Sequence, residues 1–179
     1  MLSLLSAAVT PLVAQRRDVV SFDVTLGAGR AWGGRLNYVD EPAVGGEITV
    51  GIRSKPDETL SRVAAVAAGG QFRLGRGDKC SIDLSATVSA CRPNYPDMGH
   101  IAVLGGLEHR QTSYTSLRAL IGPALYMGGA SGLGGQVQFD ASAGFSHIAL
   151  VAVARGNLLV RYSGEPMRFG WIGFGFRVQ

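Results

Sequence analysis

From residue 18 onward the chain alternates apolar and polar positions with a period of two, the period of a β-strand. Val20, Phe22, Val24, Leu26 and Ala28 alternate with Ser21, Asp23, Thr25, Gly27 and Gly29. Val44, Gly46, Ile48, Val50 and Ile52 alternate in the same way with Gly45, Glu47, Thr49, Gly51 and Arg53. The pattern returns at Val137–Phe145 and at Ile172–Val178, and less cleanly over 60–71, 100–110, 115–127 and 148–160. No helix-length segment carries apolar residues at i, i+3, i+4, i+7 between capping signals. The chain is therefore read as all-β, with one apolar face and one polar, glycine-rich face that carries charge.

Two architectures satisfy this alternation. A soluble exported barrel of the lipocalin type turns its apolar face inward around an apolar ligand. A transmembrane barrel inverts the arrangement, with an apolar outer band, a polar lumen and strands of about ten residues. The connections favour the second. Counting back from the C-terminus, Arg161–Arg168 is long, Ser146-His147 tight, Met127–Gly134 longer, His109–Ser113 short, Phe72–Gly99 very long, Ser54–Glu58 short and Ala31–Pro42 long. Short turns on one side and longer loops on the other are the habit of outer-membrane barrels, whose single chains carry an even strand number. The expectation is an eight-stranded antiparallel up-and-down transmembrane β-barrel.

Composition fits one domain of this kind. The 179 residues are 46% apolar and 17% charged and include 26 Gly. That is about twice the usual glycine content, and the charge is low for a soluble domain. Apolar residues are too plentiful for disorder, and no uncharged run is long enough for a membrane-spanning helix. The net charge is +4, from 17 basic against 13 acidic residues. The basic residues are scattered, with Arg16-Arg17 the only adjacent pair, whereas a nucleic-acid binder clusters them on one face. Nucleic acid is not an expected partner.

Residues 1–15 (MLSLLSAAVTPLVAQ) carry no charge and resemble the apolar core and small-residue end of a secretory signal peptide, although the usual positive leading segment is missing. The domain reading is a signal remnant over 1–15 and one barrel domain over 16–179, with a long outer loop at about 73–99. Within that loop, Cys80–Cys91 (CSIDLSATVSAC) also alternates, yet a ninth spanning strand would destroy the loop pattern. Two cysteines in an exported protein usually pair. A straight strand would hold these two about 35 Å apart, far beyond disulfide reach. A Cys80–Cys91 bridge therefore predicts that the segment folds back on itself; free thiols are the alternative.

The tail Gly173-Phe174-Gly175-Phe176-Arg177-Val178-Gln179, the lead-in Gly122-Pro123-Ala124-Leu125-Tyr126 and the signal-like N-terminus resemble small bacterial outer-membrane β-barrel proteins, uncharacterised ones with a two-cysteine outer loop among them. The resemblance implies insertion in the bacterial outer membrane by the barrel-assembly machinery and says little about activity. Many members of that group end on an aromatic residue; this chain ends on Val178-Gln179.

If the apolar face meets lipid, the lumen face carries Asp23, Glu47, Glu108 and Asp140 with Arg53, Arg118, Arg155 and Arg177, and Arg62 is of ambiguous parity. An eight-stranded barrel has room inside only for side chains, and buried charges must be paired. The expectation is an Arg–carboxylate network that plugs the lumen, with a narrow ion path as the sharper alternative. Catalytic signals are weak. His100 with Asp97 forms a candidate pair for a lipid-modifying site at the rim. The chain has no Gly-x-Ser-x-Gly elbow and no His or Cys at metal-ligand spacing, so no metal and no cofactor are expected. Trp32, Tyr126, Tyr162 and Phe169 fall near strand ends, where an interfacial aromatic belt sits. Arg35, Arg92, Arg161 and Arg168 are placed to meet lipid headgroups or lipopolysaccharide phosphates. The reading is a structural or interaction role, with an unknown ligand.

Overall fold

The computed structural model describes residues 19–33, 42–54, 58–74, 79–81, 90–92, 97–128, 131–145, 147–160 and 166–179; at 31–33, 73, 79–81 and 90–92 the description is of the backbone. The proposed signal segment 1–15 and most of the 73–99 loop lie outside the described residues. Ten strands follow in chain order: β1 (Val19–Gly33), β2 (Pro42–Arg53), β3 (Leu60–Arg73), β4 (Lys79–Ser81), β5 (Ala90–Arg92), β6 (Met98–Arg110), β7 (Thr115–Gly128), β8 (Gly132–Phe145), β9 (Ile148–Val160) and β10 (Met167–Val178). Eight of them close into one barrel in the order β1-β10-β9-β8-β7-β6-β3-β2, every neighbour antiparallel. β4 and β5 form a separate two-stranded hairpin outside it.

Each spanning strand has 12 to 15 residues, which is long for a globular protein and suits a tilted crossing of the membrane core. Closure follows from the register of the first strand on the last, which runs from Phe22 opposite Val178 to Gly33 opposite Met167. With β1 paired on both sides, no described edge of the sheet is left open. Glycine lets these backbones meet at one point in particular. A Cβ on Gly175 of β10 would stand 1.9 Å from the carbonyl oxygen of Val24, so no larger residue fits that approach of β10 to β1.

The facing of the side chains decides between the two architectures. Phe139 is 58% exposed, Ile172 66% and Phe174 71%, while Asp140 is 4% exposed and Arg177 is completely buried. A soluble barrel built around an apolar ligand requires the reverse. Outward residues along the wall are chiefly Val, Ile, Leu, Phe and Ala, while the inward face carries all the buried charged groups together with Ser, Thr and Gln, and shares the interior with apolar residues such as Val63, Leu104 and Leu120. Arg62, of ambiguous parity in the sequence, points outward and is exposed.

Two sequence expectations are corrected. Tyr126 and Phe169 belong to no outer aromatic belt: both are buried inside the barrel. Each lies eight residues from an inward arginine, Arg118 or Arg177, and an even separation along a strand keeps the same face. Trp32 and Tyr162 have no described side chains. The connection expected to be long at Met127–Gly134 is three residues, because β7 runs on to Gly128 and β8 starts at Gly132. Gly128 takes φ 110° at that strand end, a conformation natural to glycine.

Candidate functional site

The lumen is the place where this chain concentrates its chemistry. The inward positions of β1, β7, β8 and β10 converge near the short-turn end on Asp23, Arg118, Asp140 and Arg177. Arg177 Nε donates to Asp23 Oδ1 at 2.8 Å and its Nη2 to Asp23 Oδ2 at 2.9 Å. The same Nη2 reaches Asp140 Oδ1 at 2.7 Å. Arg118 donates through Nε to Asp140 Oδ2 at 2.8 Å and through Nη2 to Asp23. Two guanidiniums thus share two carboxylates in a closed square. The planar fork of arginine suits it, because five fixed donors can serve two acceptors at once. Ser142 Oγ accepts from Arg177 Nη1 at 3.3 Å and lies 2.8 Å from Ser116 Oγ.

A second group sits deeper toward the long-loop end, centred on Glu47 of β2. Arg155 Nη2 stands 2.7 Å from its Oε1 and Thr49 Oγ1 donates to that oxygen at 2.8 Å. His100 Nε2 lies 2.7 Å from Oε2, and Gln136 Nε2 donates to Oε2 at 3.2 Å. Arg155 joins the two groups: its Nε donates to Gln138 Oε1 at 3.1 Å, and Gln138 Nε2 donates to Asp140 Oδ2 at 2.9 Å. The Arg155 guanidinium also lies 4.4 Å over the Trp171 ring, a cation–π contact. Arg53 and Glu108 make a separate buried pair at the short-turn mouth. Buried polar atoms without a protein partner, among them Arg155 Nη1, Asn157 Nδ2 and Trp171 Nε1, are of the kind that ordered water ordinarily meets.

All eight lumen residues read from the sequence are buried, four carboxylates beside four guanidiniums. Such balance is what a packed polar interior requires, since an unpaired charge removed from water costs far more than it returns. Sequence reasoning missed His100, Gln136, Gln138 and Trp171 as members. The signal was present: His100 lies eight residues from Glu108, and Trp171 six from Arg177.

Above this network, toward the long-loop end, lies a group of buried apolar side chains. Met98, Tyr126, Leu159, Met167 and Phe169 are all buried there. Tyr126 and Phe169 pack edge to face with centroids 5.4 Å apart. The Tyr126 hydroxyl lies 3.0 Å from both Asn157 Oδ1 and the Gly135 carbonyl, and donates its proton to one of them.

The weak catalytic pair is not assembled. His100 points into the lumen against Glu47, whereas Asp97 is exposed beyond the start of β6. No group of three or more His, Cys, Asp or Glu side chains gathers at metal-binding distance among the described residues. In the hairpin, Cys80 stands directly opposite Cys91, so the backbone does fold back; the disulfide itself rests on side chains outside the description. Of the loop arginines, Arg35 and Arg161 lie outside the described residues, Arg92 is described in its backbone only, and Arg168 is exposed at the long-loop end of β10.

No family model matches the chain, and no curated protein resembles it in sequence. Solved structures resemble it in fold. The barrel is similar to that of Neisserial surface protein A, with a TM-score of 0.58 and 15% identity over 89% of this chain and 96% of that one. Ail, the attachment invasion locus protein of Yersinia pestis, aligns over 88% of this chain and 97% of its own, with a TM-score of 0.46 and 12% identity. The fold is that of a small bacterial outer-membrane β-barrel. At this identity the likeness extends to architecture alone, and the inward and outward residues must carry the rest.

Proposed function

We propose that this chain resides in a bacterial outer membrane as a closed barrel, with its lumen plugged by the Arg–carboxylate network and a structural or interaction role exercised through its long connections. The single observation that carries this reading is the inverted facing, with Phe139, Ile172 and Phe174 outward and Asp140 and Arg177 buried. An outer surface of this kind is stable only against hydrocarbon.

The plug follows from strand number and packing. Eight strands enclose a space that side chains fill, and here two arginines span the lumen to carboxylates on facing strands while the buried apolar group lies toward the other end. The role is not catalytic on this reading, because the one buried histidine is spent on Glu47. The expected contacts are outer-membrane lipid and lipopolysaccharide, with insertion by the barrel-assembly machinery and no cofactor. The connection between β3 and β6, with its β4–β5 hairpin, is the longest in the chain and is the segment proposed to meet a partner.

The test is membrane fractionation of the chain expressed with a working export signal, followed by gel migration of boiled and unboiled samples. Outer-membrane residence with a heat-dependent mobility shift is expected. A soluble periplasmic product would overturn the reading and leave the outward apolar band without an explanation.

A further inference from the structure

The outer wall has several apolar troughs between its larger side chains, of about 490, 530 and 840 Å³, and one of them lies within reach of a lone charge. Across β7, β8 and β9 the outward positions Ala119, Ala141, Ala152 and Ala154 form a shallow floor. Leu107, Leu117, Phe139 and Ile172 stand around it, and the groove encloses about 530 Å³. The register explains its shape. One outward row runs Leu60, His109, Leu117, Ala141, Ala152, Phe174, and the next runs Arg62, Leu107, Ala119, Phe139, Ala154, Ile172. Small residues on adjacent strands in adjacent rows leave a trough between the larger ones.

Leu60 and His109 line the short-turn edge of this trough, and Arg62, two positions after Leu60 on β3, stands beside them outside the lining itself. Among the described residues the outward arginines are Arg30, Arg62 and Arg168; Arg30 and Arg168 lie at the long-loop end, and Arg62 alone lies at the other. No ion pair engages its guanidinium among the described residues. It sits directly opposite Leu107, a wall of the groove, and one diagonal step from His109, which lines the groove. Diagonal neighbours of this kind lie about 7–8 Å apart, within reach of long side chains. An arginine facing hydrocarbon is costly unless its stem extends to the headgroup level and its charge meets an anion there.

We infer that this groove is a binding site for one phospholipid of the inner leaflet, its phosphate held by Arg62 with His109 beside it and one acyl chain lying on the alanine floor. The inference rests on the membrane reading above, which places the short turns on the periplasmic side. Phosphate is the matching chemistry because the guanidinium fork takes two of its oxygens at once. The groove supplies what a lone surface arginine lacks, an apolar trough leading away from the charge.

The experiment is native mass spectrometry of the full barrel, taken from vesicles of phosphatidylethanolamine and phosphatidylglycerol into mild detergent. Wild-type protein is expected to retain one phospholipid. Arg62→Gln is expected to lower the retained fraction about tenfold, the scale of one lost charge-assisted contact. Ala152→Phe, which fills the trough and leaves Arg62 intact, is expected to lower it as well, while Arg168→Gln changes nothing. Wild-type retention by the Arg62 or the Ala152 variant, retention of lipopolysaccharide instead, or a lipid-free dimer would overturn the site. A barrel that inserts and shows heat-dependent mobility but holds no lipid refutes this inference alone; a chain that fails to insert refutes the membrane reading as well.

Discussion

Arg177 of the last strand and Asp23 of the first are directly opposite in register and joined by two hydrogen bonds, of 2.8 and 2.9 Å, with both side chains buried. The two residues are 154 positions apart in the chain, so this contact exists only once the barrel has closed. It places a bidentate ion pair on the seam, where a register error of one residue would turn Arg177 toward lipid.

Removing one partner leaves the other charged and buried. Asp23→Leu and Arg177→Met are each expected to cost about 3–5 kcal/mol. The double variant keeps the Arg118–Asp140 pair and restores neutrality, so it should fall short of the summed cost by about 1 kcal/mol or more. Urea unfolding in phospholipid vesicles measures all three. Strictly additive losses would show that the seam pair is not coupled.

Substitution of an outward residue separates the membrane barrel from a soluble one. Phe139 lies at the middle of β8. Phe139→Lys is expected to lower stability in vesicles by about 2–4 kcal/mol, the cost of lysine at the bilayer midplane. In a water-soluble barrel the same change would be neutral or would improve solubility. Unfolding of the variant in vesicles decides the matter.

The proposed plug has an electrical consequence. With its arginines bridged to carboxylates and Tyr126 and Phe169 buried toward the long-loop end, the barrel is expected to give no steady current in a planar bilayer, at either polarity. A reproducible ion-selective conductance from folded protein would replace the plug with a path.

The hairpin predicts a chemical state. Cys80 and Cys91 are opposite each other on antiparallel strands, a pairing whose Cα separation falls within disulfide range. Exported protein, unfolded without reductant, is expected to present no thiol to a maleimide label and to present two after reduction. Labelling at both cysteines before reduction would exclude the bridge.

Much of this was legible because a strand has a period of two. Once Asp140 or Arg177 is assigned to the lumen, Phe139 and Phe174 must point the other way. The same rule contained more than a reading by position in the strand extracts from it. Tyr126 and Phe169 sit near strand ends, which suggests an interfacial belt, but their even separation from Arg118 and Arg177 already assigns them to the interior. His100 is likewise an even step from Glu108. Arg62 was ambiguous because its strand, Leu60–Arg73, has a run of alanine and glycine that gives neither face a clear apolar character.

What the sequence determined by itself is therefore the class of the fold, the even number of crossings and the face on which most side chains lie, because alternation and turn spacing are local properties. Which charge meets which was decided by the tertiary structure alone. Asp23 and Arg177, Glu47 and His100, and the alanines that floor the outer groove are brought together by register between strands, and register depends on closure of the whole barrel. No local pattern carries it: every strand offers the same period, and only the packed lumen and the shared hydrogen-bond ladder select one alignment.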